Sequence, residues 1–223
     1  KRQNYDREAF TNTYKLEPAN AAITAKKVLD GKALEAGKYT FKLTEVGGNN
    51  VELQATNDAN GDIKFPEINY DKEGTYTYKL TEVAGNEAGV TYDSAEHTVT
   101  VTVTENNAKL EAAVTDNNPT FTNRYKDYGV SYEFLSSNPA YPNLPKEVTD
   151  LLPADTNRYT SGTNVDAKQP AKTSVTVTEG TWTFEGYAET NAQTVADKDL
   201  KFTGKWNFTP APKYKAVSYT HLR

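Results

Sequence analysis

The stretch Glu96 to Glu105 reads EHTVTVTVTE, and its strict alternation constrains the fold more than any other feature of the chain. A helix would scatter these side chains around its surface. A strand puts Val99, Val101 and Val103 on one face and the threonines on the other. The same period governs Lys38 to Val46 (KYTFKLTEV), with Tyr39, Phe41, Leu43 and Glu45 in phase. It also governs Gly74 to Val83 (GTYTYKLTEV), with Tyr76, Tyr78, Leu80 and Glu82 in phase. Thr, Tyr and Val are abundant and long helical patterns are scarce, so the expected class is mostly β. The 223 residues, 36% of them hydrophobic, leave room for one to two domains with small packed cores.

Shorter strands are expected at Ile23 to Leu29, Val51 to Ala55, Ile63 to Phe65, Ala108 to Thr115 and Thr120 to Tyr125. Asn60-Gly61 is a hairpin signal. Asp58, Asn60 and Asp62 resemble the start of a calcium loop, but Ile63 stands where such a loop needs Gly and Asn69 where it needs Glu. A turn is therefore expected, and no metal. Residues 4–16 read as the last strand of a preceding domain. Leu16 to Asn20 reads as a linker, since Pro18 does not suit a central strand.

Three polar residues fall on faces that should be buried. Lys27 is in phase with Ile23, Ala25 and Leu29, Glu82 with Tyr78 and Leu80, and Asn123 with Phe121 and Tyr125. Taken alone, Lys27 reads as a side chain snorkelling from an edge strand. Together the three are a Lys, a carboxyl and an amide that can converge in one core. The word around Asn123, Phe121-Thr122-Asn123-Arg124-Tyr125, also stands as Phe10-Thr11-Asn12-Thr13-Tyr14, 111 residues earlier (121 − 10). Recurrence at domain-sized spacing suggests a piece of a tandem array.

After Tyr125 the texture changes. Tyr128 to Phe134 reads as a strand, Ser136 to Asn143 as a Pro-rich loop and Leu144 to Pro153 as a short helix. Thr173 to Thr178, Gly180 to Glu185 and Phe202 to Phe208 are strand-like. Trp182, Phe184, Trp206 and Phe208 suit core packing better than a sugar-stacking platform. Lys215 to Tyr219 echoes the strand starting at Tyr128 and suggests a further repeat. Lys1 to Gln3 and Val217 to Leu222 look like translated adaptor sequence, and with no initiator Met the chain reads as processed or internal.

Several classes are excluded. A net charge of −5 without a basic stripe argues against nucleic acid. No apolar run approaches a membrane span, so no membrane contact is expected in this segment. Absence of Cys removes disulfides and thiolate zinc sites. His97 has no partner at metal spacing and reads as an exposed sheet-face residue. No Ser/His/Asp grouping, phosphate loop or glycosidase-like carboxylate pair stands out, and no cofactor is expected.

The words AKKVLDGKAL, YTFKLTEV, ATNDANGDIKFPEINY, GTYTYKLTEVAGNEAGVTYD, TVTVTV and FTNRY resemble the CnaB-like (FctA-type) pilin isopeptide domain of Gram-positive surface proteins, over residues 20–126. LPKEVTDLLP, GTWTFEGY and KFTGKWNF resemble the SHIRT domain, a tandem surface repeat, over 127–210. The resemblance implies an Ig-like, reverse-orientated β-sandwich followed by a small α+β domain with one short helix. Residues 1–19 would be the end of a truncated neighbour plus linker, and 211–223 a linker and the tail. It further implies an isopeptide bond between Lys27 and Asn123, promoted by Glu82, with Glu45 in the near-copy FKLTEV as runner-up acid. Asn12 would be an orphan whose Lys lies outside this chain. The bond is a single-turnover self-reaction, so no enzyme is implied. The implied role is a stalk segment of an adhesin or pilus-like fibre on a Gram-positive cell wall, with neighbouring domains of the same chain as partners. The alternative is a binding module for a host glycan or matrix protein.

Overall fold

The structure, a computed structural model, describes residues 15–48 and 51–213. The chain divides into two units, meeting between Tyr125 and Lys126. Asn12 and the segment Lys215 to Tyr219 lie outside the described residues.

The first unit contains β1 (Ala19–Ala21), β2 (Thr24–Asp30), β3 (Thr40–Glu45), β4 (Glu52–Thr56), β5 (Asp62–Lys64), β6 (Ile68–Tyr70), β7 (Gly74–Glu82), β8 (Val90–Thr91), β9 (Glu96–Asn106), β10 (Lys109–Thr115) and β11 (Thr120–Tyr125). A five-stranded antiparallel sheet runs in the order β10-β9-β7-β3-β4. A four-stranded sheet runs β5-β2-β11-β8, with β2 and β11 parallel. The alternating faces read from the sequence make one β-sandwich core. Phe41, Leu43, Leu80, Val99 and Val101 from one sheet are buried together with Ile23, Ala25, Ile63 and Phe121 from the other.

Three local readings differ from the structure. Pro18 does not leave a free linker: Ala19 and Ala21 are buried, and β1 pairs β6. Here Pro18 stands just before the short strand, where no ladder N–H is required of it. Asn60-Gly61 does sit in a tight reversal, closed by the Asp58 N–H to the Asp62 carbonyl and an isolated antiparallel bridge between Asn57 and Ile63, but the strands on either side, β4 and β5, belong to different sheets. Gly61 takes φ +87°, and a Cβ there would stand 2.1 Å from the Lys27 carbonyl oxygen, so the close backbone approach requires Gly. His97 is in phase with the inward valines of β9, and it stands edge-on to Phe121 with ring centroids 4.9 Å apart. It is half-buried, its Nε2 shielded, rather than on the exposed face.

The second unit contains β12 (Val130–Ser136), α1 (Lys146–Thr149), β13 (Asn164–Asp166), β14 (Ser174–Val177), β15 (Gly180–Tyr187), β16 (Ala192–Thr194) and β17 (Leu200–Pro210). Its main sheet runs β12-β17-β15-β14, with β12 parallel to β17, and β13 pairs β16 separately. The helix is shorter than its apolar spacing suggests. Val148 is fully buried and Leu144 and Leu151 pack on the same cluster, but Leu152 is exposed. Trp182, Trp206 and Phe208 are buried and Phe184 is half-buried, so these aromatics are core. Trp206→Ala in the full chain is expected to destabilise this unit by about 3–5 kcal/mol through the cavity it leaves. Calorimetry checks this as a downward shift of one transition while the other stays in place. Both units are β-rich, and the fold class is mostly β, a sandwich followed by a sheet with one short helix.

Candidate functional site

Lys27 and Asn123 sit on neighbouring parallel strands of one sheet. The register pairs Lys27 with Phe121 and Leu29 with Asn123, so the two lie two positions apart along the ladder. Both side chains face the core, because each is in phase with buried apolar neighbours. A four-carbon lysine stem spans that offset. Glu82 comes from the opposite sheet, at the last position of β7, where it pairs Phe41 of β3. The sandwich therefore brings the first and last long strands together and sets an acid across from them.

The contacts are specific. Lys27 Nζ donates to Glu82 Oε2 at 2.8 Å, and Asn123 Nδ2 donates to Glu82 Oε1 at 2.7 Å. One carboxyl thus bridges the amine and the amide nitrogen. The side chains of Lys27 and Glu82 are 0% exposed, as is Asn123. The walls are aromatic: Lys27 Nζ lies 4.8 Å from the Tyr39 ring centroid and 5.8 Å from that of Phe41. Burial pushes the Lys27 ammonium below its ordinary pKa, while the hydrogen bond and charge of Glu82 and the charge of Asp93 act against it. A buried Lys–Glu pair in such surroundings is held at a desolvation cost.

Glu45, in the near-copy of the Glu82 word, ends β3 and pairs Tyr78. Phe41, not Glu45, is the β3 residue opposite Glu82.

A promoting acid placed against the Asn carbonyl could polarise it. The arrangement differs. Glu82 faces the amide nitrogen, and the carbonyl oxygen Oδ1 accepts the main-chain N–H of Asp93 at 2.7 Å. A main-chain N–H must face an acceptor, so the amide orientation follows from its partners. Asp93 is a site residue that alternation did not reveal, since it lies in the loop between β8 and β9. Burial pushes the Asp93 carboxyl up, but N–H bonds from Thr122 and Ala95 and the charge of Lys27 outweigh it and hold the pKa below the usual value.

Two supports were also hidden from sequence reading. Asn57 is buried; its Oδ1 accepts the Tyr39 N–H at 2.9 Å and its Nδ2 donates to the Glu35 and Asp58 carbonyls. That pins the strand whose aromatic ring faces Lys27. Glu87, in the loop following β7, accepts from Lys32 and from the Tyr39 hydroxyl, the latter at 3.1 Å. Among the described residues no cluster of His, Cys, Asp and Glu suited to a metal ion occurs.

Residues 23–126 match the family described as the Spy0128-like isopeptide containing domain (FctA), and residues 126–209 match the SHIRT domain. Among solved structures, SHIRT domain 10 of a streptococcal cell surface protein is 39% identical, with 38% of this chain and 99% of that one covered and a TM-score of 0.36. SHIRT domain 2 is 42% identical over 38% and 99%, with a TM-score of 0.29. The major pilin of Streptococcus pyogenes is 15% identical over 84% and 98%, with a TM-score of 0.47. No curated protein matches the chain significantly. The chain belongs to the SHIRT family through residues 126–209, and ahead of that domain residues 23–126 match the model of the Spy0128-like isopeptide containing domain.

Proposed function

We propose that Lys27 and Asn123 join in an intramolecular amide, with Glu82 as proton carrier, and that the chain is a stalk segment of a streptococcal-type surface protein or pilus-like fibre. The observation that carries the crosslink is the Glu82 carboxyl, buried and hydrogen-bonded at once to the Lys27 amine and the Asn123 amide nitrogen. The matching families, an isopeptide domain and a tandem surface repeat, support the stalk.

The step balances. Glu82 carboxylate takes a proton from the Lys27 ammonium, leaving a neutral amine able to attack the Asn123 Cγ. The new C–N bond forms as the amine sheds a second proton. The amide nitrogen gains a proton through Glu82 and leaves as ammonia, and the last proton stays on the Glu82 carboxyl. A buried ion pair becomes a neutral amide and a neutral acid, which removes the cost of two desolvated charges. The reaction occurs once per chain, so the protein is its own substrate rather than an enzyme. The aromatic side chains of the second unit are mostly buried in its core, which favours a stalk over an adhesive platform.

Intact-mass measurement tests the reading. The chain is expected to weigh one ammonia less than its sequence, and Lys27→Ala is expected to restore the full value. A wild-type chain at full sequence mass after folding overturns the crosslink.

A further inference from the structure

The Lys27–Asn123 reaction passes through a tetrahedral centre whose oxygen carries negative charge. Glu82 cannot serve that oxygen, because both its oxygens face nitrogens. The group that does face it is the Asp93 N–H, 2.7 Å from Asn123 Oδ1. We propose that Asp93 supplies the oxyanion donor through its main chain, and that its carboxylate is the device that aims that donor. This rests on the crosslink reading above.

The aim is set by three contacts. One carboxylate oxygen accepts the Thr122 N–H at 2.8 Å, on the strand residue next to Asn123. The other accepts the Ala95 N–H at 2.8 Å, which closes a turn within the loop. The side chain therefore ties its own backbone to β11 on one side and to the approach of β9 on the other. β8 adds a third hold, pairing Thr91 with Arg124 and Val90 with Tyr125. Further back, Gly85 lies close against Tyr92: a Cβ there would stand 2.4 Å from the Tyr92 hydroxyl, and the Tyr92 ring packs edge-on against Tyr39 at 5.8 Å. The segment from Glu82 to Asp93 thus forms a clasp that begins at the proton carrier and ends at the oxyanion donor.

A fixed N–H aimed at developing charge in a dry site needs no reorganisation during reaction, and loss of one such donor typically slows a reaction by about 10²–10³-fold. Asp93→Ala keeps the N–H but removes its aim, so a slowing of about 10-fold or more is expected. Asp93→Asn keeps one acceptor oxygen and is expected to fall between Ala and wild type.

The test follows ammonia loss by intact mass in full-length chains made by cell-free synthesis and quenched at intervals. The expected order of rates is wild type, then Asp93→Asn, then Asp93→Ala. Equal rates in all three overturn the Asp93 assignment while leaving the crosslink standing. A wild-type chain that never loses ammonia overturns the crosslink reading itself. Because Asp93→Ala can also loosen the fold, a second measurement uses the unreactive Lys27→Met chain. There, NMR is expected to detect scalar coupling across the hydrogen bond between the Asp93 nitrogen and Asn123 Cγ. Absence of that coupling in a folded chain overturns the assignment.

Discussion

Glu82→Gln is expected to leave the chain at its full sequence mass, with bond formation slowed by about 10²–10⁴-fold, the usual contribution of a positioned proton carrier. The substitution keeps the shape of the side chain. It replaces one acceptor oxygen by an NH2 group, which must then face either the Lys27 amine or the Asn123 amide, both of them donors. It also removes a negative charge that holds the Lys27 pKa up. With that charge gone, burial acts nearly unopposed and a larger fraction of Lys27 is the neutral nucleophile. If amine deprotonation alone limited the reaction, Glu82→Gln would react as fast as wild type or faster. The expected block instead places the requirement on delivering a proton to the leaving nitrogen. Raising the pH therefore should not rescue the variant, and a time course of intact mass at neutral and alkaline pH decides between the two.

The site was legible in the sequence where it obeyed strand period and hidden where it did not. Lys27, Glu82 and Asn123 each break an apolar face, so a two-residue period exposes them as polar groups in a core. Choosing Glu82 over Glu45 was harder, because FKLTEV and YKLTEV are near-copies and both acids share the phase of their strands. Only register separates them: Phe41 lies opposite Glu82, and Tyr78 opposite Glu45. Asp93 and Glu87 lie in the two loops that flank β8 and carry no period at all. Asn57 follows the same rule; it precedes a turn and acts through main-chain partners 18 and 22 residues away. Turn chemistry misled in both directions. Asn60-Gly61 carries the hairpin signature and makes a tight reversal, yet the strands on either side lie in different sheets. The β9–β10 hairpin is closed by Asn107-Ala108 at φ +51° and +68°, a pair in which the second residue lacks the usual Gly.

Asn123→Ala is expected to be the most damaging single change to mechanical strength. It removes the crosslink while leaving Lys27 and Glu82 paired, so it isolates the bond from the separate penalty of a stranded buried charge. The proposed bond would close a loop of 96 residues (123 − 27). By analogy with disulfide loop entropy, its loss costs about 4–5 kcal/mol, which corresponds to roughly 20–30 °C in the first unit's Tm. Scanning calorimetry is the check, and an unchanged first transition refutes the estimate. Without the bond, the protonated form of Lys27 binds its proton more weakly folded than unfolded. Between that lowered value and the ordinary 10.5 the unfolded chain holds more protons, so this contribution makes the variant more stable as pH rises through the window. Under tension the difference is larger still. Load enters at the start of β2 and leaves at the end of β11, two parallel neighbours that would otherwise part by shear. With the bond in place, force passes from Lys27 to Asn123 directly and the intervening chain carries none. Without it, that chain can be drawn out by roughly 320 Å at the extended rise per residue. Single-molecule pulling on the full chain is therefore expected to show the second unit unfolding alone in wild type, and an added event of that length in Asn123→Ala. A wild-type trace that already contains the added event would remove the mechanical rationale for the Lys27–Asn123 bond.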